Sequence, residues 1–140
     1  MLDAHNRVRA NATPAPTPPL PPLTWSSAAA AVATSWANNC QWMHNTGAGY
    51  GENLAASSGS GDSPARVVND WASEAADYDY ASNSCSGVCG HYTQLVWRAT
   101  TSVGCATVTC NTGSPFGSGS WTFTVCDYAP PGNWVGQRPY

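Results

Sequence analysis

Apolar and polar residues follow two periods along this chain, and the change of period divides it into a helical part and a strand part. From Gly104 to Cys110, and again from Trp121 to Tyr128, the alternation has a period of two, as in a strand whose successive side chains point to opposite faces. Paired antiparallel, the two segments set Val108 opposite Phe123, Ala106 opposite Val125, Thr107 opposite Thr124 and Thr109 opposite Thr122. A slip of one residue would set apolar against polar along the whole pair, so the pattern itself specifies the register. That register also places Cys105 opposite Cys126.

The earlier part reads as helices separated by breakers. Leu2 to Ala10 predicts a short helix with Asp3 near its start and Arg7 and Arg9 beyond. From Thr13 to Pro22 six of ten residues are proline, which forbids helix and ladder alike and gives a stiff, extended connector. Ser26 or Ser27 then caps a helix from Ala28 to Asn38 that is apolar nearly all round. Such a helix is expected to be buried on most sides, which calls for more than one layer. Tyr50 to Ala55 reads as a strand or extended edge, and Ser57 to Asp62 as a polar loop. A third helix begins at Pro64, capped by Asp62 or Ser63, and runs to about Asp77. Val68, Trp71, Ala72 and Ala75 share its core face, and Glu74 falls at the edge of that face, where a carboxylate is either solvated or turned into a cleft. Tyr78 to Gly90 is expected to be a loop.

Six cysteines in 140 residues point to three disulfides and an oxidising compartment, since no pair has the two-residue spacing of a zinc site. Cys110 points with Val108 towards the apolar side, where Cys40, at the end of the apolar helix, is the natural partner. The expected bridges are Cys40–Cys110, Cys85–Cys89 and Cys105–Cys126. Secretion is inferred from the cysteines.

The length suits one domain, residues 1–140, with a real core. Only 9% of residues are charged, there is no lysine, and five arginines leave a net charge of −3, so no basic surface exists to neutralise nucleic-acid phosphates. No stretch approaches the roughly 20 apolar residues of a transmembrane helix. A monomer is expected.

The acid and base inventory is short: His5, His44 and His91, with Glu52 and Glu74 the only glutamates. His91 lies between a glycine and an aromatic and aliphatic run, where packing meets a cleft. It reads either as a satisfied structural histidine or as a functional one. His5 reads as a helix residue bonded to nearby backbone, with a ligand role as the alternative.

Four stretches carry a resemblance: Gly90-His91-Tyr92-Thr93-Gln94-Leu95-Val96-Trp97, Val125 to Asn133, Gly51-Glu52-Asn53-Leu54, and His5-Asn6 followed by Arg9. They resemble the four signature motifs of the CAP superfamily, which comprises cysteine-rich secretory proteins, antigen 5 and pathogenesis-related protein 1. The likeness extends in order from His5 to Tyr140, and the chain looks similar to the single-domain pathogenesis-related branch of plants and fungi. The resemblance implies an α/β fold, a three-layer α/β/α sandwich with a central antiparallel sheet and disulfide bonds. It also implies a cleft tetrad of His44, Glu52, Glu74 and His91. Those side chains match the ligand types for zinc or another divalent cation, and they would equally form a hydrogen-bonded polar network.

Three functions follow from the resemblance. A secreted, extracellular, non-enzymatic module would bind a sterol or fatty acid, with the aromatic loop carrying Tyr78 and Tyr80 as the lipid site and a role in defence or host–microbe contact. A zinc-dependent hydrolase or protease would use Glu52 or Glu74 as general base. A precursor would release the segment from Pro130 to Tyr140 as a signalling peptide, against which stands a packed tail with Trp134 covering the core.

Overall fold

The computed structural model describes residues 1–140. The chain folds as α1 (Leu2–Ala10), β1 (Thr24–Trp25), α2 (Ser27–Ala37), β2 (Gly51–Ser58), α3 (Pro64–Ser73), a 3₁₀ turn (Glu74–Asp77), β3 (Tyr78–Asp79), β4 (Ser84–Cys85), α4 (Gly90–Leu95), β5 (Ser102–Cys110) and β6 (Trp121–Ala129). Four strands form one sheet in the order β1-β5-β6-β2. β5 and β6 pair antiparallel with Val108 opposite Phe123 and Cys105 opposite Cys126, the register that the alternation specifies. β2 pairs antiparallel with the other side of β6.

The sheet departs from purely antiparallel at one edge, where β1 runs parallel to β5. Asn6 sets that approach. Its side chain donates to the Leu23 carbonyl at 3.0 Å and accepts from the Leu23 amide at 2.7 Å, delivering Thr24 alongside Ser102.

Alternation along β5 and β6 sorts their side chains between two cores. Trp121, Phe123 and Val125 meet Leu54, Ala33 and Ala37 under α2. Val103, Cys126 and Tyr128 meet Val67, Val68, Trp71, Tyr92 and Leu95 under α3 and α4, with Ala4 of α1. The result is a three-layer α/β/α sandwich. α2 lies directly on β5 because position 104 is glycine: a Cβ there would collide with the Ala30 amide and the Ser26 carbonyl.

Two expectations are corrected by this packing. α2 is not buried on most sides; its buried residues are Ala29, Ala33 and Ala37, a single stripe at a spacing of four, and Ala28 and Ala31 face solvent. Alanine has high helix propensity and little side chain to hide, so an alanine-rich helix reads as apolar without needing a second partner. Trp134 does not cover the core either, being 58% exposed. The tail is held elsewhere, by Arg98 N–H to the Pro139 carbonyl at 2.7 Å, by Arg138 to the carbonyls of Tyr80 and Ala81, and by the stacked rings of Tyr80 and Tyr140.

The helix expected to run to Asp77 changes at Ser73 into the 3₁₀ turn that begins with Glu74. The expected loop from Tyr78 contains the two-residue hairpin β3-β4 and leads into α4. α4 has no local signature, because Cys89 at its N-cap offers no side-chain bond. The proline-rich connector is pinned by arginines. Arg9, buried without a carboxylate partner, donates to the carbonyls of Pro21, Leu95, Trp97 and Thr100, and its burial lowers its pKa to about 10. All six cysteines are joined, as Cys40–Cys110, Cys85–Cys89 and Cys105–Cys126.

A candidate metal centre at the edge of the sheet

β2 is an edge strand, and its alternation splits the two sides of the site. Glu52 and Leu54 point with Asp127 and Val125 towards the α2 face, while Asn53 points with Cys126 and Tyr128 towards α3 and α4. Beside this edge opens a cleft of about 170 Å³ lined by His44, Glu52, Asn53, Gly90, His91 and Asn133, among others. Of the four tetrad residues the cleft exposes both histidines and Glu52. Glu74 stands behind His91.

On the α4 side, His91 Nδ1 is 2.6 Å from Glu74 Oε1, and Glu74 Oε2 accepts the backbone N–H groups of His91 at 2.9 Å and Tyr92 at 3.1 Å. Glu74 thus caps α4 from another element. The orphan amides of a helix start favour a carboxylate, and three N–H donors hold this one. Glu74 Oε1 accepts the hydrogen bond from His91 Nδ1–H, which fixes the His91 tautomer and leaves Nε2 as the ring's unprotonated nitrogen. Trp71 stacks on the His91 ring at 5.8 Å between centroids and 10° between planes, and donates Nε1–H to the Leu54 carbonyl.

Behind this pair runs a buried polar chain. Asn53 Nδ2 donates to the His91 carbonyl and to Tyr128 Oη, both at 3.1 Å. Tyr128 Oη lies 2.8 Å from His5 Nε2, and His5 Nδ1 lies 3.0 Å from the Met1 carbonyl. Since a carbonyl only accepts, Nδ1 carries the proton and Tyr128 donates to Nε2. Burial lowers the His5 pKa to about 4, with the Met1 amino group and Arg9 as smaller causes. His5 therefore supports the His91 side and is not a third ligand. It also lies near Cys105 and Cys126, but those sulfurs are joined in a disulfide and are not thiolate ligands.

On the other side, His44 Nδ1 is 2.7 Å from Glu52 Oε1, which also accepts the Asn45 backbone N–H at 3.0 Å. Glu52 Oε2 has no N–H partner and is buried, as are both oxygens of Asp127. Glu52 and Asp127 are direct neighbours across the β2-β6 pair. Burial first, then the Glu52 carboxylate beside it, raises the Asp127 pKa to about 7. Asp127 belongs to the Val125–Asn133 stretch, but that stretch gives it no role. Its only signal is the motif neighbour Cys126, and its nearness to Glu52 appears only once β2 is paired to β6.

The two loop tyrosines separate. Tyr80 stacks on Tyr140 at 4.7 Å, and its hydroxyl donates to the Tyr140 carbonyl, so it anchors the loop to the tail. Tyr78 donates to Asn83 Oδ1 and borders two cavities. One, about 520 Å³, lies between α1 and α3, with a floor of Val8, Ala72, Ala75, Tyr78 and Tyr92 and exposed Arg7, Asn11 and Asn69 at its rim. The other, about 330 Å³, lies between the Cys85–Cys89 bridge and the exposed ring of Trp134.

The family model described as CAP, cysteine-rich secretory protein family, matches residues 2–128. Pathogenesis-related protein 1 of Arabidopsis thaliana is 48% identical over 124 residues, covering 85% of this chain and 71% of that protein. Pathogenesis-related protein 1B of Nicotiana tabacum is 44% identical over 145 aligned residues, covering 99% of this chain and 78% of that one. Among solved structures, venom allergen-like protein 4 of Schistosoma mansoni superposes with a TM-score of 0.75 at 27% identity, over 99% of this chain and 90% of that chain.

Proposed function

The chain belongs to the CAP, or cysteine-rich secretory protein, family, and from that premise we propose that it is a secreted, non-enzymatic defence protein that binds a small hydrophobic ligand, a sterol or a fatty acid. The observation that carries this reading is the cavity of about 520 Å³ between α1 and α3. Its apolar floor and polar rim suit an elongated molecule with one polar end. Tyr78 borders this cavity and the smaller one beside Trp134, so it takes the role first assigned to the loop as a whole, while Tyr80 serves as an anchor. Secretion is supported by the three disulfides, and no helix is long and apolar enough to cross a membrane.

Equilibrium binding of a labelled sterol and a labelled fatty acid to the oxidised protein tests the reading. Saturable binding is expected, weakened at least tenfold by Ala72→Trp, which fills the groove, with the unfolding midpoint kept. Binding unchanged by Ala72→Trp and lost in Trp134→Ala would move the site to the smaller cavity. No saturable binding of either ligand would end the proposal.

The tetrad suits a divalent cation in a second role. The donor types fit: each histidine turns Nδ1 to a glutamate, which leaves Nε2 of His44 and of His91, both residues lining the cleft, available as ligand atoms. In this arrangement the glutamates orient the rings rather than bind the ion. A bound ion would act as a Lewis acid towards a water or ligand carboxylate at the cleft. Both glutamates are already engaged by the histidines and backbone N–H groups, which supports the non-enzymatic reading over a hydrolase with a glutamate as general base. Nor does the tail favour a released peptide, since Arg98, Arg138 and Tyr80 hold it to the body.

A further inference from the structure

The two glutamates of the tetrad receive unequal support, and Asp127 stands where the difference lies. Glu74 accepts three N–H donors, two from the α4 backbone and one from His91, so both of its oxygens are satisfied. Glu52 accepts only two, and both go to Oε1. Its Oε2 is buried and meets no N–H. A buried carboxylate oxygen without a donor costs about 1 to 3 kcal/mol, so a native structure is expected to fill the position.

The group in reach is Asp127. It lies directly opposite Glu52 on the neighbouring strand, is 1% exposed, and has no N–H or O–H partner on either oxygen. Directly opposed residues on antiparallel strands have their Cβ atoms about 5 Å apart, so both carboxyl groups meet on the same face. Two opposed, buried carboxylates would repel, whereas one carboxylic acid beside one carboxylate makes a strong hydrogen bond. We propose that Asp127 is a positioning residue of the tetrad: its carboxylic acid donates to Glu52 Oε2 and so holds Oε1 against His44 Nδ1. It supplies for the exposed histidine what the α4 amides supply for His91. This rests on the metal-centre reading only in its affinity readout; the hydrogen bond itself stands apart from any ion.

Two substitutions separate a donor from a mere space-filler. Asp127→Asn keeps a donor, an N–H, towards Glu52 Oε2. Asp127→Val keeps the strand and the volume and removes the donor. Zinc titration by calorimetry is expected to give wild type and Asp127→Asn similar affinities, and Asp127→Val an affinity at least tenfold lower, the usual scale for a residue that orients a ligating histidine. Nitrogen NMR of the His44 ring, without metal, is expected to show the Nδ1–H tautomer in wild type and Asp127→Asn and a mixture in Asp127→Val.

A wild type that binds no zinc would end the metal-centre reading and leave the tautomer measurement to judge Asp127. The idea is overturned if Asp127→Val keeps the wild-type tautomer, or if Asp127→Asn falls as far as Asp127→Val. Should Asp127→Val fail to fold, infrared spectroscopy of the wild type decides: a protonated carboxyl band absent from Asp127→Asn supports the donor, and spectra alike in both proteins overturn it.

Discussion

His91 with Glu74 and His44 with Glu52 are the same two residue types at 2.6 and 2.7 Å, placed beside one cleft, yet they are built from different materials. The His91 pair joins the start of α4 to the 3₁₀ turn after α3; its side chains are 29% and 15% exposed, the imidazole lies on Trp71, and the His5, Tyr128 and Asn53 chain stands behind it. The His44 pair joins a loop to an edge strand; His44 is 57% exposed, Glu52 is only 6% exposed, and the one group behind them is Asp127. One histidine is fixed by the core and the other by its glutamate alone. A site assembled this way keeps one histidine rigid and lets the other adapt, which suits a cleft that admits a partner from solvent.

The largest test concerns the support of the rigid side. The His5 pKa is about 4 in the folded chain against about 6.5 in an unfolded one, so the folded state binds fewer protons between those values. Stability carried by neutral His5 is complete above about pH 6.5 and is lost as pH falls towards 4, by up to about 3 kcal/mol. Asp127 has the opposite sign: its pKa, raised to about 7, makes it lose stability as pH rises from about 4 to 7. Chemical denaturation from pH 4 to 7 should therefore show a steeper acid loss in Asp127→Asn than in the parent. Adding His5→Gln should flatten it, and an unchanged slope would remove His5 as the buried base.

A matched pair of amides comes next. In Glu74→Gln the amide nitrogen must face N–H donors on one side or the other, and about 2 kcal/mol of stability is expected to be lost. Glu52→Gln keeps an oxygen for His44 and Asn45 and turns an N–H towards Asp127, so a change within about 0.5 kcal/mol is expected. Equal losses in urea denaturation would erase the distinction between the two sides. Trp71→Phe removes the bond to the Leu54 carbonyl and part of the stack on His91, for about 1 kcal/mol, read as a lower thermal midpoint. Smallest is His44→Ala, which should leave stability within about 0.5 kcal/mol, since an exposed ring has little to lose. Zinc binding, by contrast, should fall in both His44→Ala and His91→Ala.

What could be read from the residues was whatever depends on neighbours in sequence or on a period. The β5-β6 register follows from alternation, and α3 begins where Ser63 and Pro64 announce it. The family motifs named the four tetrad residues, and the chain brings three of them to the cleft with Glu74 behind His91. The pattern misled at α2, because alanine counts as apolar whether or not anything covers it, and at Trp134, because a large ring in a tail need not find a core. α4 was invisible because its cap, Glu74, comes from a separate turn.

By itself, then, the sequence determined the β5-β6 register and, through its motifs, the family and the layered fold that goes with it. The tertiary structure alone decided that β2 lies beside β6 and α4 beside the 3₁₀ turn. Those two contacts make Glu74 a saturated carboxylate and Glu52 one that leans on Asp127. The physical reason is that hydrogen-bond satisfaction belongs to groups that meet in space. A period along the chain fixes which face a side chain takes, but not which donor waits there.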